Sequence, residues 1–148
     1  MNRVTICEEI RQTAINLLIE KNCSCVICKD GVIRCFYERG VIDLYSLLCD
    51  EPEFLKGAYI ADKVVGKAAA SLMILGKIAG LYARTVSQPA IGLLKDANMS
   101  LEYGKVVPYI INRSKTDWCP LEKRCYLLKT HEECYESIKD FMFITFEK

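Results

Sequence analysis

The sequence predicts an α/β fold: a three-layer α/β/α sandwich with a mixed five-stranded sheet and helices on both faces. Three observations carry that expectation. Two β-rich runs flank Asp30-Gly31 near the start, the pattern of a tight hairpin whose type I′ turn needs positive φ at both central residues. Downstream, short apolar runs alternate with helical periodicities, the pattern of parallel strands joined by crossovers. Hydrophobic residues are 51% and charged residues 26% of the chain, enough to build a core and too apolar for disorder or collagen-like repeats. A length of 148 residues fits one domain, with 109–148 as a C-terminal tail of loop and helices packed on it.

Each element has its own signal. Thr5-Ile6-Cys7-Glu8 reads as a capping box, and Ile6, Ile10, Ala14 and Leu17 then recur at helical spacing to about Lys21. Asn22 is the stop. Cys23–Lys29 and Val32–Tyr37 are the hairpin strands. Val41, Leu44, Tyr45 and Leu48 share one face of a helix over Val41–Cys49, and Glu51-Pro52-Glu53 connects onward. Gly57–Ala61 reads as a short buried strand. Asp62 then reads as the N-cap of a helix marked by Val65, Ala68, Ala69, Leu72 and Met73, running to about Leu75. Leu81–Val86 is the next strand. Ser87 caps the following helix and Pro89 sits in its first turn, where a missing N–H costs nothing. That helix ends near Asn98, and Glu102–Val107 is the last strand. In the tail, Pro120 opens a helix through Leu128, and Thr130-His131-Glu132-Glu133 is a second capping box leading a helix to about Ile144.

Charge and cysteine usage narrow the function classes. Lys+Arg is 20 against Asp+Glu 19, a net charge of +1. No basic excess recommends a nucleic-acid or anionic-membrane partner. The most apolar stretch, Ala68–Gly76, lies between Lys67 and Lys77 and is far shorter than the roughly 20 residues a bilayer span needs. The start meets Glu8 and Glu9 almost at once, unlike a signal peptide. Nine cysteines, an odd number without an even framework, fit reduced thiols in the cytoplasm. Cys7, Cys25, Cys35 and Cys134 fall among apolar neighbours. Cys23-x-Cys25-x-x-Cys28 has the look of a metal fragment, but strand alternation puts Cys23 and Cys25 on one side and Cys28 on the other. These read as small core hydrophobes; no metal and no cofactor is expected.

The order helix, hairpin, then alternating helices and strands matches the cytidine-deaminase-like fold. With it come Ala61-Asp62-Lys63-Val64-Val65-Gly66-Lys67-Ala68-Ala69-Ala70 and Trp118-Cys119-Pro120-Leu121-Glu122-Lys123. Together these make the chain resemble a small uncharacterised prokaryotic family assigned to that fold. The resemblance covers nearly the whole chain and implies a fold with no established activity. Zinc deaminases need His (or Cys)-x-Glu at one helix start and Pro-Cys-x-x-Cys at the next. Here the first start is Glu38-Arg39-Gly40-Val41-Ile42. At the second, Lys63 and Gly66 fall where the two Cys ligands belong. A charged amine and a residue without a side chain hold no zinc, so zinc-dependent deamination is not expected.

Candidate ligand contacts gather at strand ends. Asp62-Lys63-x-x-Gly66-Lys67 sits where a strand feeds a helix, the place where open α/β sheets bind ligands. Free N–H groups, the helix dipole and two lysines at i, i+4 point to a small anionic ligand. The bland alternative is a capping Asp, solvated lysines and small residues for close packing. Thr85, Ser87 and Gln88 stand at the next junction, as ligand contacts or simply as a cap. Asn112 and Arg113 from the tail are a further anion clamp. Cys119 precedes Pro120 at a helix start, a position that favours a thiolate, although the one histidine, His131, belongs to the next helix. Three readings follow: a ligand-binding or regulatory protein on a zinc-free scaffold; an enzyme of zinc-independent chemistry using Asp62, Lys63 or Cys119; or a structural module that pairs subunits as a homodimer.

Overall fold

At the hairpin, Asp30 and Gly31 have φ of 48° and 82°, the two positive values a type I′ turn demands. The computed structural model describes residues 8–38, 41–111 and 117–146. Helix α1 (Glu8–Glu20) leads to β1 (Cys25–Lys29) and β2 (Val32–Phe36). Asn22, at φ 50°, ends the helix in the left-handed region, as the sequence suggested. The expected cap at Thr5 lies outside the described residues. Next come α2 (Ile42–Asp50), the single turn α3 (Pro52–Leu55) and β3 (Tyr59–Val65). Then follow α4 (Lys67–Leu75), β4 (Gly80–Ser87), α5 (Gln88–Asp96), β5 (Ser100–Val107), α6 (Pro120–Cys125) and α7 (His131–Phe146).

The sheet order is β2-β1-β3-β4-β5. β1 is antiparallel to both β2 and β3, while β3, β4 and β5 are parallel. α1 packs on one face, against β1 and β3. The small cluster there holds Ala14, Leu18, Val26, Cys28, Tyr59 and Ala61. On the other face lies the main core, built on Ile27, Ile60, Leu81 and Ala83 from the strands, with residues of α2, α4, α5, α6 and α7. The expected mixed sheet with helices on both faces is therefore present.

Helix α4 is the hub of that side. Residues 67–73 are all buried, because α7, α5, α2 and α6 all pack on it. A helix apolar all round belongs in an interior, and Ala68, Ala69 and Ala70 keep it slim enough to be surrounded. The tail contributes Leu121, Cys125, Cys134, Ile138 and Met142 to the same cluster. Burying side chains of this kind stabilises by about 1.5–3 kcal/mol for each large one.

The strand–helix boundary after Gly57 differs from expectation. β3 runs to Val65, so Asp62 is a strand residue and Gly66 is the residue that precedes α4. The reason is sheet pairing. Asp62 lies opposite Cys25 on one side and Ala83 on the other, and these ladder bonds outweigh a local capping preference. The cysteine facing also differs. Cys25 joins the main core, whereas Cys23 and Cys28 share the α1 side with Cys35. Cys23 precedes the strand and does not follow its alternation. Helix α6 stops at Cys125, three residues earlier than expected.

Candidate functional site

Three parallel strands end on one edge of the sheet, at Val65, Ser87 and Val107. Because β1 runs the other way, its first residue, Cys25, stands at that same edge, opposite Asp62. The starts of α2, α4 and α5 follow β2, β3 and β4 and open on it too. This edge is where an α/β sheet offers backbone N–H groups to a ligand.

Asp62 points into the main-core side and is only 8% exposed. Its carboxyl accepts from the Val64 N–H at 3.3 Å. Burial outweighs that bond and pushes its pKa up to about 7, since removing a carboxylate from water disfavours the ionised form. Cys25, fully buried beside it, is raised well above the ordinary thiol range by burial and then by the charges of Asp62 and Asp43. Asp43, in the first turn of α2, is itself raised, mainly by burial. This part of the edge is therefore acidic.

The two lysines expected here do not converge. Lys63 lies on the opposite side of β3 and its ammonium donates to Asn22 Oδ1 at 2.9 Å. Strand alternation puts it there, so its expected i, i+4 partnership on a helix is lost. Lys67 is buried, 7% exposed, and its ammonium donates to the main-chain oxygens of Tyr126, at 3.1 Å, and Leu128. It ties down the connection between α6 and α7 and is no solvated charge.

The start of α4 is occupied from within the chain. Glu122, on α6, is 2% exposed. Its Oε1 accepts from the Lys67 N–H at 2.8 Å, and its Oε2 lies 3.4 Å from the Ile110 N–H. A Cβ on Gly66 would lie 2.5 Å from that Oε1, so glycine is what lets the carboxylate approach. A negative group at an N-terminus gains from the exposed N–H and the helix dipole. Glu122 thus holds the position an external anion would take.

The remaining candidates lie around this arrangement. Ser87 caps α5, its Oγ accepting from Ala90 N–H at 3.3 Å, as expected. Gln88 is exposed at the start of the same helix and Thr85 is half-buried. Cys119 precedes α6 and makes no side-chain cap bond; it packs on the main core. Asn112 and Arg113 lie outside the described residues. Trp118 stacks on Tyr109 at 4.4 Å between ring centres and meets Tyr126 edge-on at 4.7 Å, which docks α6. On the outer side of α6, an open cleft of about 520 Å³ is lined by Asp117, Trp118, Pro120, Lys123, Arg124 and Phe141. Its Lys123 is neutralised by Asp117 at 2.6 Å.

Comparison with known proteins places the chain. The model of the family described as Domain of unknown function (DUF1893) matches residues 13–142. The chain belongs to the DUF1893 family. A crystal structure of a DUF1893 family protein from Thermotoga maritima is similar in fold, with a TM-score of 0.86, 23% identity and 95% of each chain covered. Among curated proteins none matches. The family description carries no activity.

α4 starts at Lys67, so Lys63 stands within β3 and Gly66, without a side chain, is the residue before the helix. Among the described residues no three His, Cys, Asp or Glu side chains converge to hold a metal, and no helix is long and apolar enough to cross a membrane. The sequence reading missed Glu122, Asp43 and the facing of Cys125 and Cys134. Glu122 sits in an ordinary acidic first turn after Pro120, and nothing local marks it as buried.

Proposed function

We propose that this chain is a ligand-responsive regulatory protein of the cytoplasm, on a deaminase-like scaffold without zinc chemistry. Its ligand is a small anion, carboxylate or phosphate, that competes with Glu122 for the start of α4. One observation carries the reading: a carboxylate, 2% exposed, reaches from the tail to the Lys67 N–H at 2.8 Å. The site has the polarity of an anion site and holds the chain's own anion. A ligand there would release α6 and the connection that Lys67 ties down, and so would change the outer surface of the domain.

The experiment is chemical rescue. Glu122→Ala should lower Tm, and formate, acetate or phosphate should restore part of the loss for that variant more than for wild type. Glu122→Gln, which keeps the shape and removes the charge, should show weaker rescue. If both variants fold and no anion raises their Tm beyond the wild-type response, the reading fails. A second reading, an enzyme using Asp62 as a proton carrier, is favoured by that group's pKa of about 7 in a buried setting. Lys63 and Cys119 do not support it, since the one is engaged by Asn22 and the other is half-buried against the main core.

A further inference from the structure

We infer that the cleft on the outer side of α6 is a second ligand site, which takes a small aromatic anion: the ring rests against Trp118 and Phe141, and the charge meets Arg124. The cleft, about 520 Å³, falls within the roughly 300–1,000 Å³ usual for ligand pockets. Its lining comes from two helices that pack in the main core. Pro120, Lys123 and Arg124 belong to α6, Phe141 belongs to α7, and Asp117 and Trp118 lead into α6.

Both aromatic walls are fixed before any ligand arrives. Trp118 stacks on Tyr109 and meets Tyr126 edge-on, and its main chain forms a bridge with Ile111. Phe141 is half-buried against the main core. The ring of Pro120 locks its φ and stiffens the entry to α6. Aromatic surfaces held in this way receive a flat apolar body with little further ordering of the protein.

Charge decides the sign of the ligand. Asp117 and Lys123 cancel at 2.6 Å, and Asp117 Oδ1 also accepts from the Trp118 main-chain N–H at 2.7 Å. Arg124 is left over. Its guanidinium lies over the Phe141 ring, 5.6 Å from the centre, and among the described residues it has no carboxylate partner. The guanidinium is a planar set of N–H donors, so an aromatic cleft here carries uncompensated positive charge. A ring bearing a carboxylate or phosphate matches the walls and the charge together, because the arginine fork pairs with either group. An uncharged ring leaves Arg124 unpaired, and a cationic ring is repelled by it.

The test uses the isotope-labelled full chain and heteronuclear NMR, with the folding of each variant checked by circular dichroism. Trp118 is the one tryptophan, so its indole N–H gives a single resonance that reports on the cleft. Phenyl phosphate and benzoate should shift that resonance saturably. Each should bind about tenfold more tightly than benzyl alcohol, a ring without charge, or inorganic phosphate, a charge without a ring. Arg124→Gln should weaken phenyl phosphate about tenfold and leave benzyl alcohol unchanged, whereas Phe141→Leu should weaken both. Asp117→Asn releases Lys123 and should tighten phenyl phosphate. The inference is overturned if phenyl phosphate binds no more tightly than inorganic phosphate, or binds wild type and Arg124→Gln alike. A Trp118 resonance that moves with protein concentration and ignores the probes gives the cleft to a second copy of the chain, and overturns it too. The site does not rest on the anion reading: an anion that displaces Glu122 acts at the Lys67 and Ile110 N–H groups, and its effect on Trp118 survives Arg124→Gln.

Discussion

Two buried carboxyls lie at one sheet edge. Glu122 meets the main-chain N–H groups of Lys67 and Ile110, and for Asp62 desolvation outweighs the main-chain N–H groups of Val64 and Lys63. Burial without enough donors is what raises a carboxyl pKa. The linkage has a definite sign. A carboxyl whose folded pKa is raised from 3.8 to about 7 binds a proton more tightly folded than unfolded. Its contribution to stability is full below about pH 4 and declines as pH rises to about 7. Asp62→Asn carries no such decline. Its stability relative to wild type should climb between about pH 4 and 7 and then level off, by up to about 4 kcal/mol at roughly 1.4 kcal/mol per unit. Urea denaturation of both proteins across that range checks it; a difference that does not change with pH refutes it.

For helices and strands, the informative case is the passage from β3 to α4. The strand runs four residues past the expected boundary because Asp62, Val64 and Val65 pair with β4. That shift gives the two lysines different neighbours. Lys63 makes one exposed bond to Asn22, so Lys63→Met should change stability by no more than about 0.5 kcal/mol. Lys67→Met should cost about 1.5–3 kcal/mol, because hydrogen bonds from a charged donor are worth that much and the Tyr126 and Leu128 oxygens lose theirs. Equal effects in denaturant titrations would contradict the assignment. The cap of α7 behaves as its residues suggested: Glu133 N–H donates to Thr130 Oγ1 at 3.1 Å, and Glu133 Oε1 accepts from Thr130 N–H at 3.1 Å, the reciprocal bonds of a capping box.

Across the whole molecule, the tail is part of the main core. α7 is a principal neighbour of α4, and Leu121, Cys125, Cys134, Ile138 and Met142 are all buried. Removing them would expose one side of α4 and forfeit burial comparable to a domain's whole net stability of about 5–15 kcal/mol. A chain ending at Val107 is therefore expected to lose cooperative unfolding and to bind a hydrophobic dye. A sharp thermal transition near that of the full chain would show instead that the sheet and its inner helices stand alone.

The sequence by itself determined the elements whose cause is local. The hairpin follows from Asp30-Gly31, the end of α1 from Asn22, and the caps of α5 and α7 from Ser87 and Thr130. Strand-and-helix alternation was enough for the mixed sheet with helices on both faces, because periods of 2 and 3.6 are written in consecutive residues. The tertiary structure decided the rest. Asp62 became a strand residue through its neighbours Cys25 and Ala83, which lie far away in sequence. Lys67 and Glu122 became partners across 55 positions through the docking of α6 on α4. Cys125 and Cys134 entered the main core through the packing of α6 and α7 on α4. Burial and charge pairing are properties of the assembled core, and a single chain position carries no local mark of them.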